Sequence, residues 1–570
     1  MFNDLPTQID ETVRAWTWED DIKPYYDDLL ARELTDDTIN QWLADWSAIS
    51  KVIWEMMSRA RVATTQNTMD EEAEAFYTHL LEDIIPQLSV AGNEINKKLV
   101  ESGLQPDNFE LPLKKMRTDI ELFREANIPL NTEEQKLGMA YAKITGAQTV
   151  EWDGKEQTLT QMGKAMEDHD RDRREAAWHL IMNRWLQDRD GINQVWTKLF
   201  KLRQQMAANA GFDNYRDFRW QQFKRFDYTP QDCETFHKAI EAVVVPAAKR
   251  ANERRRQRMG LETVRPWDTS VDPMGREPLR PWQTINEFAE KAETIFNQVD
   301  PQLGGYYATM RAEDLMDLPN RKNKGPGAYC TTYPLIGRPF VFMNAAGTGG
   351  DVRTLLHEVG HAFHGFETQA LPYLQQRAYP IEFAEVASMA MELLAAPYLV
   401  EDQGGYYSAA DAARDRVSHL EKILFFWPYM AVVDGFQHWV YTSGDAAADP
   451  ANCDAKWAEL WDRFISVDYT GLDDVKMTGW HRKQHIYRYP FYYVEYGLAQ
   501  LGAVQVWANA LDDQAAAVAD YRKALALGGT RNLHELFGAA GAKFAFDEET
   551  LGKAVELIEK TITEKDALAQ

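Results

Sequence analysis

The residues best suited to chemistry are His357, Glu358 and His361, which form an H-E-x-x-H motif within an apolar segment. On a helix, two histidines four residues apart lie on one face and can bind a single Zn²⁺ ion. Glu358 then lies where it can reach a water molecule bound to that ion. The spacing therefore predicts a helical zinc site, although two histidines alone are too few protein ligands to hold zinc.

A third protein ligand is expected further along the chain, and its type separates the classes of zinc enzyme. Metzincins carry a histidine six residues after the second motif histidine and a glycine three after it. Here Glu367 and His364 occupy these positions, which disfavours that class. A glutamate from a following helix is the other common solution, and Glu382 and Glu385 are candidates, 25 and 28 residues after His357.

Glu385 and Glu392 lie seven residues apart, so on a helix they share one face. This favours Glu385 as the ligand and leaves Glu392 either to orient a ligand histidine or to form a structural salt bridge. His364 lies one turn beyond the motif and is expected to be a packed or supporting histidine. The predicted site is therefore one Zn²⁺ held by His357, His361 and Glu385.

Such a ligand set indicates hydrolysis at a carbonyl group. Zinc with three protein ligands keeps one position for water and lowers the pKa of that water. Glu358 is predicted to take the proton as general base and to return it to the leaving amine. The negative charge that develops on the carbonyl oxygen then needs hydrogen-bond donors.

Candidate donors lie in the aromatic segment that begins at His485. Pro490 suits the first turn of a helix, and on that helix Tyr489, Tyr493 and Tyr496 fall roughly on one face. Phenols and an imidazole can donate to an oxyanion without adding net negative charge. The competing interpretation of the tyrosines is an aromatic core stripe, the usual meaning of such a pattern.

The elements that must position these residues are mostly helices. Clear helical spacing extends over residues 71–100, 165–210, 230–258 and 284–298. Strand-like runs are few, and the clearest are residues 328–333 and 339–344. Asp351 is predicted to be the N-cap of the motif helix. The sequence thus predicts a mainly α protein with a small sheet near residues 327–345, beside the zinc-motif helix.

Composition disfavours several other functions. The 570 residues include 62 Lys and Arg against 88 Asp and Glu, and the net charge of −26 argues against nucleic acids and anionic membranes as partners. The sequence contains no run of about 18 apolar residues, so no transmembrane helix is expected, and no secretory signal is recognised. Three cysteines are too few for a disulfide framework and indicate a reducing compartment. We therefore expect a cytoplasmic protein, of an oligomeric state that the sequence does not determine.

Taken together, the motifs resemble the thimet oligopeptidase and oligoendopeptidase F family of zinc metallopeptidases, and most closely the oligoendopeptidase F branch. The resemblance extends over most of residues 130–565, and the earlier residues share only helical character. The matching segments are residues 327–330, 342–344, 357–364, 383–388, 485–493, 526–530 and 533–537.

The resemblance implies a two-lobed helical body with a deep substrate channel and zinc at its floor. Residues 1–125 are assigned to an N-terminal helical region and residues 126–570 to the catalytic region. The expected activity is cleavage of internal bonds in short, unfolded peptides, because a narrow channel excludes folded proteins.

The family's pattern also implies roles for residues around the predicted metal. The zinc ligands and the base would be those predicted above, while His485 and a following tyrosine, Tyr493 or Tyr496, would stabilise the transition state or bind substrate. The strand at residues 340–344 would pair with the peptide backbone. The aromatic segment that begins at His485 departs from the thimet branch, because it has one late glycine, Gly497, in place of a glycine-rich loop.

Two other activities compete with this prediction. A zinc carboxypeptidase of related helical architecture would need a cationic group for the substrate's C-terminus, and Arg482, Lys483 and Arg488 are available. A non-catalytic peptide binder with a relic zinc site is disfavoured, because Glu358 is intact. Co²⁺ and Mn²⁺ are compatible with the same ligands, since occupancy depends on metal availability.

Overall fold

Helices account for 71% of the chain and supply most of its core. The computed structural model, which describes residues 1–569, confirms the predicted mainly α architecture. The helices before the central sheet are α1 (Glu11–Arg14), α2 (Lys23–Ala31), α3 (Ile39–Gln66), α4 (Glu71–His79), α5 (Ile85–Glu101), α6 (Glu110–Leu122), α7 (Ile128–Gly146), α8 (Arg171–Gln187), α9 (Arg189–Asn209), α10 (Tyr215–Gln222), α11 (Pro230–Ala239), α12 (Val245–Met259), α13 (Ile285–Val299) and α14 (Pro301–Ala312).

The helices after the sheet carry the predicted chemistry. They are α15 (Gly349–Glu367), α16 (Ile381–Ala395), α17 (Ala409–Thr442), α18 (Pro450–Phe464), α19 (Asp473–Met477), α20 (Gln484–Arg488), α21 (Tyr493–Asp512), α22 (Gln514–Ala526), α23 (Leu533–Ala539) and α24 (Glu548–Asp566). Among the described residues, no helix combines the length and apolar character needed to cross a bilayer.

Two of the predicted helices contain one wider turn. A π-helical turn at Leu80–Ile84 joins α4 to α5, and another at Ile240–Val244 joins α11 to α12. In both cases a proline, Pro86 or Pro246, follows as the second residue of the later helix. Proline has no N–H to donate to the preceding turn, which accounts for the wider turn at these positions.

Five short strands form two sheets within the described chain. They are β1 (Thr149–Trp152), β2 (Lys155–Thr158), β3 (Met316–Pro319), β4 (Tyr329–Tyr333) and β5 (Arg338–Ala345). β1 and β2 form an antiparallel hairpin. In the second sheet β5 lies in the centre, parallel to β3 and antiparallel to β4. The predicted strands at residues 328–333 and 339–344 are confirmed, whereas the short strands β1, β2 and β3 were not predicted.

The motif helix α15 starts immediately after the sheet. Its N-cap is Thr348, and Asp351 is the third helical residue, so the prediction that Asp351 is the N-cap is wrong by one turn. The Asp351 carboxylate accepts hydrogen bonds from the backbone N–H groups of Ala346, Gly347 and Thr348 at 2.7–2.9 Å. This reciprocal capping closes the turn between β5 and α15 and fixes the direction in which the motif helix leaves the sheet.

The described residues form three hydrophobic cores, the smallest of which lies around Trp178 and Trp267. A second core is built from buried side chains between Val13 and Met116. The largest core includes Val62 of α3, continues from Leu137 of α7, and contains most of the later helices and the sheet. The division of the chain at residue 125 stays a prediction, and the separate cores support it.

A cavity of about 920 Å³ lies between the N-terminal helices on one side and the sheet and motif helix on the other. Trp46 and Trp54 of α3 line one side. Thr332 of β4 and Gly365 and Gln369, at and just beyond the end of α15, line the other. The open space therefore adjoins both the edge of the sheet and the motif helix.

Candidate metal centre

Helices α15 and α16 bring three metal-binding groups together. The Nε2 atoms of His357 and His361 lie 3.5 and 3.7 Å from Oε2 of Glu385. The three ligand atoms all lie within 4.8 Å of one another. The structure thus places side by side the three residues that the sequence predicted as zinc ligands.

Gly360 permits the helix contact that positions Glu385. A Cβ atom at Gly360 would lie 2.7 Å from Cα of Ser388 and 2.8 Å from the carbonyl oxygen of Ala387. Real Cβ atoms essentially never approach so closely. The glycine in the motif is therefore required by the close crossing of α16 over α15, which brings Glu385 towards the two histidines.

The donor geometry fits a zinc ion. Two ligands about 2.0–2.2 Å from a tetrahedral ion are separated by about 3.3–3.6 Å, close to the observed separations. Hydrogen bonds between the same atoms would be shorter, about 2.7–3.2 Å. Two imidazole nitrogens with one carboxylate oxygen are also a ligand set that catalytic zinc sites use.

Glu382, the alternative third ligand, faces away from this centre. Its carboxylate accepts a hydrogen bond of 2.7 Å from the hydroxyl of Tyr228. The guanidinium of Arg225 lies 3.8 Å from the same oxygen. The geometry therefore selects Glu385 from the two candidates.

Glu392 fixes the orientation of one ligand histidine. Its Oε1 lies 2.8 Å from Nδ1 of His357, and its Oε2 lies 3.0 Å from Nε2 of His419 on α17. An Nδ1–H that donates to Glu392 leaves Nε2 of His357 free to act as a ligand. Burial would lower the pKa of His357, but the carboxylates of Glu385 and Glu392 raise it well above its usual range. No motif in the sequence pointed to His419.

The second ligand histidine is held neutral. Burial lowers the pKa of His361 to about 4, although the Glu385 carboxylate opposes the shift. A neutral imidazole is the form that binds a metal ion. His364, one turn further along α15, is fully buried and stacks on Tyr379 with ring centroids 3.5 Å apart. Its ring packs in the core, in agreement with the expectation of a packed histidine.

Glu358 is buried between α15 and the edge of the sheet. Burial raises the pKa of its carboxyl to about 7, against the lowering effects of His357 and of the backbone N–H of Cys330. Cys330 lies opposite Val341, which donates its N–H to Leu315 on the β3 side. The two residues therefore form a non-hydrogen-bonded pair of the ladder, and the Cys330 N–H points to the outer edge of β4. A carboxyl group with a pKa near neutrality is suited to take up and release a proton.

The predicted substrate-pairing strand is wrong. Residues 340–344 lie in β5, which is paired on one side with β3 and on the other with β4. No strand of the described chain pairs with the outer edge of β4. The backbone groups available to an extended peptide are therefore those of Tyr329–Tyr333.

The aromatic segment differs locally from the prediction. α20 ends at Arg488, Phe491 adopts a left-handed conformation with φ of 65°, and α21 begins only at Tyr493. Pro490 therefore lies in a turn between two helices rather than in the first turn of one. Tyr489 is 42% exposed and does not continue a helical face.

This turn brings Tyr492 to the candidate centre. Its hydroxyl donates a hydrogen bond of 3.0 Å to Oε1 of Glu385. The other oxygen of Glu385 faces the histidines, so Tyr492 holds the ligand carboxylate in place. The sequence did not single out Tyr492, because its position depends on the backbone turn at Phe491.

The predicted residues His485, Tyr493 and Tyr496 cluster together, but their surroundings differ. The His485 ring lies 5.1 Å from that of Tyr493 and 6.0 Å from that of Tyr496. Burial, with Lys483 nearby, lowers the pKa of His485 to about 3, so its imidazole is neutral.

The two tyrosines differ in their neighbours. The Tyr496 ring lies 5.1 Å from that of Tyr492, whose hydroxyl contacts Glu385, and burial together with the Glu385 carboxylate raises the pKa of Tyr496. Tyr493 packs against Phe426 and Tyr429, and the Lys483 ammonium lies 3.8 Å from its ring centroid. The geometry favours Tyr496 as a donor and a packing role for Tyr493, whose catalytic role stays a prediction.

The residues of the candidate centre lie in the part of the chain that matches a known protein family. A sequence model of peptidase family M3 matches residues 164–555, which is more than half of the chain and includes every residue of the candidate centre. Among curated proteins, the chain is similar to an oligoendopeptidase F homolog from Mycoplasma pneumoniae, with 27% identity over 250 residues. That alignment covers 40% of this chain and 37% of the relative, so the chain matches well under half the length of that protein.

Solved structures match over nearly the whole chain. PZ peptidase A, solved with an inhibitor, has 26% identity and a TM-score of 0.87, with 99% of each chain covered. An oligoendopeptidase F structure has 25% identity and a TM-score of 0.89, with 100% of each chain covered. The likeness in fold therefore extends to the N-terminal helices, where the sequence showed only shared helical character.

Proposed function

The chain belongs to peptidase family M3, and on that premise we propose that it is a zinc-dependent oligoendopeptidase that hydrolyses internal bonds of short, unstructured peptides. The observation that carries the proposal is the arrangement of His357, His361 and Glu385 around one point, with the buried carboxyl of Glu358 beside it. One Zn²⁺ at this centre would be held by those three residues. When bound, the ion supplies a Lewis acid that polarises the peptide carbonyl and lowers the pKa of water.

Glu358 performs the proton transfers in this proposal. Its carboxylate accepts a proton from water and returns it to the nitrogen of the leaving amine. Burial raises the pKa of this carboxyl, which favours its uptake of a proton. The surrounding burial excludes bulk water that would otherwise compete for the proton.

Neutral donors beside the centre stabilise the carbonyl oxygen. Tyr496 and His485 are the proposed donors, since both are uncharged and their rings lie 6.0 Å apart. Tyr492 and Glu392 act indirectly, because the first holds Glu385 and the second holds His357. A fixed arrangement of donors and ligands avoids reorganisation during the reaction.

The peptide is proposed to bind along the outer edge of β4. An extended backbone can add there as a further strand, with main-chain hydrogen bonds that are independent of side-chain identity. The cavity of about 920 Å³ includes Thr332 of β4 in its lining and offers space for the flanking residues. Backbone pairing of this kind supports a broad sequence preference among short peptides, which are the proposed substrates.

A zinc carboxypeptidase is the second candidate, favoured by one observation. Arg482, Lys483 and Arg488 line a separate cavity of about 320 Å³ that also includes His485. Cationic groups beside the proposed donor could hold the carboxylate of a substrate's C-terminus. An endopeptidase does not require that contact.

Cleavage of a peptide of about ten residues, blocked at both ends, separates the two functions. The purified protein is tested with and without a chelator, and products are identified by mass spectrometry. Internal cuts that vanish on chelation and return with zinc support the endopeptidase. A blocked peptide that stays intact, together with C-terminal trimming of the free peptide, would instead support the carboxypeptidase.

A further inference from the structure

A second group of donor side chains lies between α11 and α17, outside the centre described above. Cys233 and His237 are one turn apart on α11, and Asp434 and His438 are one turn apart on α17. The ligand atoms of Cys233, Asp434 and His438 all lie within 4.8 Å of one another. None of these residues belongs to the proposed catalytic machinery.

All four side chains are inside the protein. Cys233 and Asp434 have no exposed surface, and His438 and His237 are 6% and 7% exposed. Cysteine is common in protein cores, but a carboxylate and two imidazoles rarely share one without a specific reason.

Several of these polar atoms make no hydrogen bond within residues 1–569. They are Oδ1 of Asp434 and both ring nitrogens of His438. Nε2 of His438 lies 3.2 Å from Oδ2 of Asp434, but outside hydrogen-bond geometry. Nε2 of His237 lies 2.9 Å from the same oxygen and is the one imidazole that partners the carboxylate. A histidine kept in the core for packing alone would normally direct at least one ring nitrogen to a partner.

The chemistry of the group suits a thiophilic divalent cation. A thiolate, a carboxylate and imidazoles form a mixed sulfur, oxygen and nitrogen set that zinc accepts and that Mg²⁺ and Ca²⁺ do not. A thiolate and a carboxylate together would neutralise the two charges of Zn²⁺, so the loaded site would add no net charge to the core. Pairs of ligands one turn apart on facing helices are also how helical bundles build metal sites.

From this geometry we propose that Cys233, Asp434 and His438 bind a second Zn²⁺ ion, with His237 as the fourth donor in reach. The ion joins α11 to α17. It also supports the turn before Tyr492, because Phe491 packs edge-on against His438 with ring centroids 5.4 Å apart. The backbone N–H of Phe491 donates a hydrogen bond of 2.8 Å to the side chain of Gln437, the neighbour of His438. The role of this site is therefore structural.

Metal content of the full-length protein tests the proposal first. We expect two zinc ions per chain in the wild type, measured by inductively coupled plasma mass spectrometry after extensive dialysis. His361→Ala should lose the ion of the proposed catalytic centre and keep the other, and Asp434→Asn should do the reverse. One zinc per chain in the wild type, with none in His361→Ala, would overturn the second site.

Cobalt substitution gives an independent signal. The ligands of the proposed catalytic centre contain no sulfur, so a thiolate-to-Co²⁺ charge-transfer absorption reports the second site alone. We expect this band in the wild type and in His361→Ala, and its loss in Cys233→Ser. Cys453→Ser is the matched control, since Cys453 is also buried but lies outside the group. Absence of the band from Co²⁺-loaded wild type would refute the proposal, even if a variant failed to fold.

Discussion

Replacing Gly360 with alanine tests whether the crossing of α15 and α16 sets the position of the metal ligands. The added methyl group would lie 2.7 Å from Cα of Ser388, about 0.7 Å short of the 3.4 Å at which ordinary contact begins. Most of the obstruction is backbone, which no side-chain rotation can relieve. Helix α16 must therefore move away from α15, and Glu385 must move with it.

The magnitude follows from two opposing effects. In an exposed helix, the change from glycine to alanine would stabilise the protein by about 1 kcal/mol. Overpacking of a close contact costs about 1–3 kcal/mol, so we expect a net destabilisation of up to about 2 kcal/mol. A ligand displacement of about 0.7 Å exceeds the roughly 0.2 Å that a metal site tolerates, and zinc affinity should fall at least about tenfold.

Urea unfolding and zinc competition with a chelator measure the two effects. Gly552→Ala is the matched control, because Gly552 lies within α24 and a Cβ atom there would meet nothing within 4 Å. The control should be as stable as the wild type or more stable, with unchanged zinc affinity. If Gly360→Ala behaved like Gly552→Ala in both assays, the crossing would not position the ligands and the argument would fail.

Four further predictions concern single side chains. Glu358→Gln should keep its zinc but lower kcat by at least about 100-fold, and near-normal turnover of the zinc-loaded variant would exclude Glu358 as the base. Glu392→Gln should weaken zinc binding by about 10–100-fold in chelator competition, whereas unchanged affinity would leave it only a structural role. Tyr496→Phe should lower kcat by about 100-fold with little change in KM, and Tyr493→Phe should not; equal effects would contradict the assignment of the donor. Lys483→Met should raise the free energy of unfolding at pH 7 by up to about 4 kcal/mol. The reason is that burial lowers the pKa of Lys483 to about 7 in the folded protein, so the unfolded chain binds the proton more tightly. The stability of the wild type should then rise between pH 7 and 10, and the advantage of the variant should shrink. A gain in stability that is independent of pH would refute the lowered pKa of Lys483 as its cause.

The metal ligands could be predicted because each depends on one helix face. His357 and His361 share a face by their spacing, and the relation of Glu385 to Glu392 indicated which glutamate points the same way. Local periodicity was therefore sufficient for the centre itself. His419 could not be found in this way, because its contact with Glu392 depends on how α17 packs against α16.

The aromatic segment shows where local reasoning stops. A continuous helix from Pro490 would have placed Tyr489, Tyr493 and Tyr496 on one face, and the observed turn breaks that register. The left-handed conformation of Phe491 is unusual for a bulky residue. It is held from outside the segment, by the side chain of Gln437 and by the packing of Phe491 against His438. Only tertiary contacts therefore bring Tyr492, which the sequence did not single out, to Glu385.

The sheet gives the same lesson for substrate binding. The apolar run at residues 339–344 correctly predicted a buried strand, but burial of both faces is typical of a central strand, and a central strand has no free edge. The less apolar β4 retains one, and its Cys330 N–H faces Glu358. The strand suited to a peptide is thus the one whose sequence signal was weaker, because an exposed hydrogen-bonding edge is not visible in a pattern of hydrophobicity. The Thr332 N–H lies on the same outer edge as that of Cys330, because the two residues are two apart on β4. Thr332→Pro should therefore raise KM for peptides without releasing zinc, and an unchanged KM would refute peptide pairing at this edge.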